Sequence, residues 1–110
     1  MKMNVYSIFD TASGAYMRPF FMAADNAAVR AFCDLANDSE HEVGRHPKDY
    51  ILCRLGMFDD NKGDLIPEAV QYLITGLEGV AAHRDAKVKM QGSLLSQNGA
   101  EVPANPGGSE

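Results

Sequence analysis

Three things are scarce in this 110-residue chain: basic charge, cysteine and long apolar runs. Ten Lys and Arg stand against fifteen Asp and Glu, a formal net charge of -5. That balance excludes a protein held on duplex DNA by its overall charge, because such binding needs a cationic surface to displace counterions. Seven basic and twelve acidic residues fall within positions 1–80, and three of each beyond, so the acidity belongs to the first part of the chain. The two cysteines, Cys33 and Cys53, have no CxxC spacing, and MKMNVYSIFD lacks the apolar stretch of a signal peptide, so a cytoplasmic location is expected. No apolar run approaches the roughly 18 to 20 residues of a membrane span, and no membrane partner is expected. Length and composition set the expectation at one small domain.

What is present reads as an α+β domain. The segment from Met3 to Asp10 alternates Val5, Ser7 and Phe9 against Tyr6 and Ile8, a strand buried on both sides. Thr11 to Gly14 is a turn, and Ala15 to Ala23 reads as a second antiparallel strand whose Pro19 has no N–H for a ladder and marks an edge or a bulge. Val29, Phe32, Cys33 and Ala36 then follow helical spacing, with Asp25 placed to accept a first-turn N–H, so the helix is expected from Asp25 to Asn37. Ser39 to Asp49 is polar, broken by Gly44 and Pro47, and reads as an exposed loop. Asp49 to Asp59 alternates as a third strand with Gly56 at a candidate bulge, and Asp59 to Asp64 is the second hairpin turn. Leu65 to Val80 fits a helix or a strand, and Thr75, Gly76 and Gly79 favour the strand. The expected order is therefore ββαββ, a small antiparallel sheet with one helix packed on one face, occupying residues 1–82. Residues 83–110, rich in Gly, Pro, Ser and Asn, read as a flexible tail.

Catalytic patterns are missing: no glycine-rich phosphate loop, no HExxH, no nucleophile elbow and no zinc-spaced cysteines. No enzymatic activity and no cofactor are expected. His41 and His46, with Glu40, Glu42 and Asp49, are metal-type ligands at a spacing that fits no established site, and no metal is assigned to them. Asp59, Asp60, Asn61, Gly63 and Asp64 resemble the start of a calcium loop, but its twelfth position is Val70 rather than a bidentate Glu, and a hairpin turn explains the run better. Cys33 and Cys53 read as small core residues without chemistry.

One pattern carries functional content. Tyr16, Arg18 and Phe20 occupy alternate positions and are expected on one face of the second strand, and Tyr50, Arg54 and Phe58 are expected to share a face of the third. Aromatic planes interleaved with guanidinium groups can stack unpaired bases while neutralising phosphate, with Arg45 and Lys48 assisting from the loop. The competing reading packs Phe20 and Phe58 beneath the helix with Phe32 and leaves the arginines at the rim.

The combination NVYSIFD, AY before PFFM, AAVRAFCDLAND and HPKDYILCRLGMFDDNKG, spread over Met3 to Gly63, resembles the small nonstructural protein of gokushovirus-type microviruses, phages with circular single-stranded DNA. The resemblance implies an accessory protein of the host bacterial cytoplasm acting at the switch to single-strand synthesis and packaging, described in that family as DNA-binding, and it brings no catalytic motif. Two functional expectations follow. The first is non-enzymatic binding of single-stranded DNA, with Arg18 and Arg54 on phosphate, Tyr16, Tyr50 and Phe20 stacking on bases, and Arg45 and Lys48 helping from the loop. The alternative is an interaction module for a phage or host replication protein, for a capsid protein, or for itself as a homo-oligomer, through the open edge near Pro19 or the aromatic face.

Overall fold

The computed structural model describes residues 1–84. It contains strand β1 (Lys2–Asp10), two short strands β2 (Ala15–Tyr16) and β3 (Phe20–Met22), helix α1 (Asp25–Ala36), a one-turn helix α2 (Glu42–Arg45), and a 3-10 turn at Pro47–Asp49. Strands β4 (Tyr50–Asp59) and β5 (Asp64–Thr75) complete the sheet, and residues 76–84 are helical. All pairings are antiparallel, in the order β2-β1-β4-β5, with β3 also beside β1. The α+β class and the ββαββ order read from the sequence hold. Residues 85–110 of the expected tail lie outside the described residues, and among the described residues no helix is long and apolar enough to cross a membrane.

Both hairpin turns use one device. Asp10 and Asp59 each accept at a side-chain oxygen from the backbone N–H two residues on, Ala12 at 2.9 Å and Asn61 at 3.0 Å. Their carbonyls accept from the N–H of Gly14 and Gly63, each at 2.8 Å. These glycines have φ of 74° and 71°, a left-handed conformation that costs a residue with a Cβ about 1–2 kcal/mol. The acidic run at 59–64 is thus a hairpin turn, and Asp60 is held by the N-terminal amine at 2.7 Å.

The core lies between one sheet face and the helices. Tyr6 and Ile8 of β1 and Tyr50 and Leu52 of β4 meet Ala28, Phe32 and Ala36 of α1. Val43 of α2 joins them with no exposed surface, which corrects the expectation of an exposed loop over Ser39–Asp49. That segment shows no periodicity because it holds a single helical turn, too short to repeat, started by His41, whose Nδ1 accepts from the Val43 N–H at 3.1 Å.

Asp25 does not cap α1. The N-cap is Ala24, without a side-chain bond, while the Asp25 carboxylate accepts from the Tyr6 hydroxyl at 2.7 Å and from Arg54 at 2.9 Å. Asp25 is already the first helical residue, and its carboxylate is turned toward the sheet, with one oxygen on the Tyr6 hydroxyl and the other on the Arg54 guanidinium. The ambiguous stretch 65–80 is strand to Thr75 and helix after it. Its switch is a capping box, with Thr75 N–H donating to Glu78 Oε1 at 2.8 Å and Glu78 N–H donating to Thr75 Oγ1 at 3.1 Å.

Candidate interaction face

Two bulges decide which side chains reach each face of the sheet. Along β1, Phe9 pairs with Tyr16 but Tyr6 pairs with Phe20, so one extra residue lies within Met17–Pro19. Pro19 has no N–H, and the interruption is tied down by Met17 N–H to the Ile8 carbonyl at 2.8 Å and Ser7 Oγ to the Met17 carbonyl at 2.6 Å. On β4, Tyr6 pairs with Arg54 and Val5 with Gly56, leaving Leu55 unpaired. Each extra residue reverses the alternation beyond it.

The expected shared faces therefore do not form. Tyr16 stands beside Phe9 on the side away from the helices, ring centroids 4.7 Å apart, whereas Phe20 stacks on Tyr6 at 5.6 Å on the helix side. Arg18 is exposed in the break between β2 and β3. Tyr50 is a core residue, 7% exposed. Phe58, grouped with Tyr50 and Arg54 by simple alternation, lies past the bulge on the opposite side, stacked on Phe21 at 5.5 Å. Of the competing reading, the packing of Phe20 against the core holds and that of Phe58 does not.

Arg54 is engaged on the helix side. Besides Asp25 it donates to Gln71 Oε1 at 2.6 Å and has Glu68 at 3.8 Å. Burial raises the Tyr6 hydroxyl pKa above its usual value, and the Asp25 carboxylate that accepts its proton adds to this. Arg45 and Lys48 are exposed on α2 and the 3-10 turn, and Arg45 donates to the Glu40 carbonyl at 2.9 Å. Arg54→Gln is expected to lower stability by about 1–2 kcal/mol, since it removes a charge-assisted bond from a half-buried carboxylate. Arg18→Gln should stay within about 0.5 kcal/mol. Urea denaturation of both variants checks this, and equal midpoints would contradict the role given to Arg54.

The sheet face away from the helices has a different character. Register puts Met3, Val5, Ser7 and Phe9 of β1 there, with Tyr16, Phe21, Ile51, Cys53, Gly56 and Phe58. Leu65, Pro67, Tyr72 and Thr75 of β5 complete it. No charged side chain occurs among these positions. Ser7 and Cys53 pair at its centre with no exposed surface, and Tyr16 and Tyr72 stand toward opposite edges, on β2 and β5. Around that centre Tyr16 (44%), Phe21 (46%), Leu65 (66%) and Tyr72 (61%) remain open to solvent.

Sequence reasoning found Tyr16 and missed Phe21, Leu65 and Tyr72. The available signal was that both alternations of β1 are apolar, which means two apolar sheet faces rather than one. Burial raises the thiol pKa of both Cys33 and Cys53, which leaves neither a ready nucleophile.

Comparison with known proteins fits this chain to one group. Residues 3–79 match the family model described as Phage ORF5 protein. Protein ORF5 of Chlamydia phage 1 is 35% identical over 71 residues, covering 61% of this chain and 74% of that protein. No solved structure gives a significant match. The family match takes in β1 from Met3, every other strand and α1, and with the phage relative it makes this a small microvirus protein: the chain belongs to the Phage ORF5 protein family.

Proposed function

We propose that this phage accessory protein is a non-enzymatic interaction module of the host cytoplasm, whose contact surface is the helix-free aromatic face of the sheet. One observation carries the reading: the positions that the register of all five strands places on this face include four exposed large apolar side chains and no charged one, in a chain that is 23% charged. An antiparallel sheet that faces water normally turns polar side chains outward. Tyr- and Phe-rich surfaces depleted in charge match the composition of protein contact cores. The partner class is protein, among them phage or host replication proteins and capsid protein.

Single-stranded DNA, bound during genome synthesis or packaging, is the second reading. It is favoured by the same rings, since Tyr16, Phe21 and Tyr72 are accessible for base stacking, worth about 1–3 kcal/mol per base. What weakens it is the shortage of phosphate partners among the described residues, where Arg18, exposed between β2 and β3, is the one predicted contact left beside this face. Arg54 is committed to Asp25, and Arg45 and Lys48 are on α2 and its neighbouring turn, on the helix side.

Two measurements separate the readings. A photo-crosslinking residue at position 72, in host cells carrying the phage genome, should yield a discrete adduct identifiable by mass spectrometry, and one at position 48 should not. In parallel, anisotropy of a labelled single strand should show no saturable binding at low salt. Saturable binding that weakens with salt and is lost in Tyr72→Glu would replace the protein reading with the DNA reading.

A further inference from the structure

We infer that the occupant of the aromatic face is a second copy of this chain, two sheets packing face to face about a two-fold axis; this rests on the face being a protein contact surface. The first argument is electrostatic. Residues 1–80 are acidic overall, so two copies brought together repel wherever carboxylates meet. The helix side and the turns carry those carboxylates: Asp25 and Glu68 beside Arg54, and Asp60 and Asp10 in the hairpin turns. The aromatic face holds none, and it is the sheet surface on which two identical acidic chains meet without apposing like charges. A basic partner would call for acidic residues on the contact surface, and a nucleic acid for basic ones.

The second argument is architectural. A two-fold interface must be complementary to itself, a condition that a flat apolar sheet face meets without matched donors and acceptors. Here the helices cover one side of the sheet and the described residues leave the other uncovered. A second sheet aligned on it, about 10 Å away, makes the two-layer sandwich that such faces form. Phe21 and Tyr72 lie toward opposite edges of the face and flank its buried Ser7–Cys53 centre.

The third argument is area. From the exposed fractions of Tyr16, Phe21, Leu65 and Tyr72, and half-buried Phe9, Ile51 and Phe58 between them, one face offers on the order of 600 Å² of side-chain surface. Two copies would bury on the order of 1,200 Å², the lower bound of stable specific interfaces. The dimer is accordingly expected to form in the micromolar range and to dissociate on dilution.

The full 110-residue chain should sediment at twice its 11.9 kDa mass at high micromolar concentration and fall toward the monomer at low micromolar. A mixed sample of isotope-labelled and unlabelled wild-type protein should give intermolecular contacts at the rings of Phe21 and Tyr72 and none at α1, a test that needs no variant. Phe21→Glu and Tyr72→Glu should each weaken dimerisation at least tenfold with unchanged circular dichroism, because each places a carboxylate in the interface. Lys48→Gln should leave it unchanged. A wild-type chain that stays monomeric throughout, or a dimer whose intermolecular contacts fall on α1, overturns the inference. If the chain is monomeric and position 72 still crosslinks to a different phage protein, the copy is the wrong occupant and the contact surface stands. If the monomer instead binds single-stranded DNA saturably through Tyr72, both are wrong.

Discussion

Phe32→Ala is expected to lower the unfolding free energy by about 3–5 kcal/mol. Phe32 projects from the centre of α1 into the space above Tyr6, Ile8 and Leu52, and only 1% of it is exposed. Truncation removes most of a buried ring and leaves a cavity whose walls are two strands of the sheet, which cannot collapse without breaking the β1–β4 ladder. For a domain of this size each kcal/mol shifts the melting temperature by about 4–8 °C, so the loss should exceed about 12 °C. Phe21→Ala provides the contrast. Phe21 is 46% exposed on the other face and packs mainly on Phe58, and its loss should cost about 1 kcal/mol or less. Thermal melts of the two variants assign the faces directly: a core lies under Phe32 and a contact surface includes Phe21. If Phe32→Ala cost no more than Phe21→Ala, the helix would not cover the face described.

How far the sequence could be read depends on where the alternation stays in phase. The first strand, both hairpins and α1 were legible because each rests on a local pattern several residues long: alternation in VYSIF, turn-forming clusters at 11–14 and 59–64, and helical spacing from Val29 to Ala36. The candidate face was not legible as a face. Its composition depends on two single-residue insertions, within Met17–Pro19 and at Leu55, and only the pairing partners on β1 and β4 show that they shift the register. Pro19 and Gly56 mark the neighbourhoods of both. Neither reveals by itself which side chains turn over, so Tyr16 and Phe20 part company, as do Arg54 and Phe58. The Thr75–Glu78 capping box, by contrast, was written in the sequence as T-x-x-E, and the strand-like reading of Val70, Tyr72 and Ile74 concealed it.

Gly44→Ala is expected to be as damaging as the core truncation, about 3 kcal/mol or more, although it adds one methyl group to a segment that looks like a polar loop. A Cβ on Gly44 would run into the Asp38 carbonyl and lie 2.9 Å from the Leu35 carbonyl oxygen. Neither carbonyl is free to withdraw. The Asp38 oxygen accepts from His41 N–H at 3.0 Å, and the Leu35 oxygen from Asp38 N–H at 3.1 Å, so both belong to the turn joining α1 to α2. Relief must come from α2 moving outward, which would draw the fully buried Val43 from the core and disturb the His41 cap. Gly14→Ala separates this mechanism from the general cost of losing a glycine. Nothing lies within 4 Å of a Cβ there, so only the left-handed φ is penalised, at about 1–2 kcal/mol. The melting temperature should fall further for Gly44→Ala than for Gly14→Ala, and amide exchange in Gly44→Ala should accelerate first at residues 41–46. A Gly44→Ala protein that melts with the wild type would mean that α2 is not seated against α1, and Val43 would lose its place in the core.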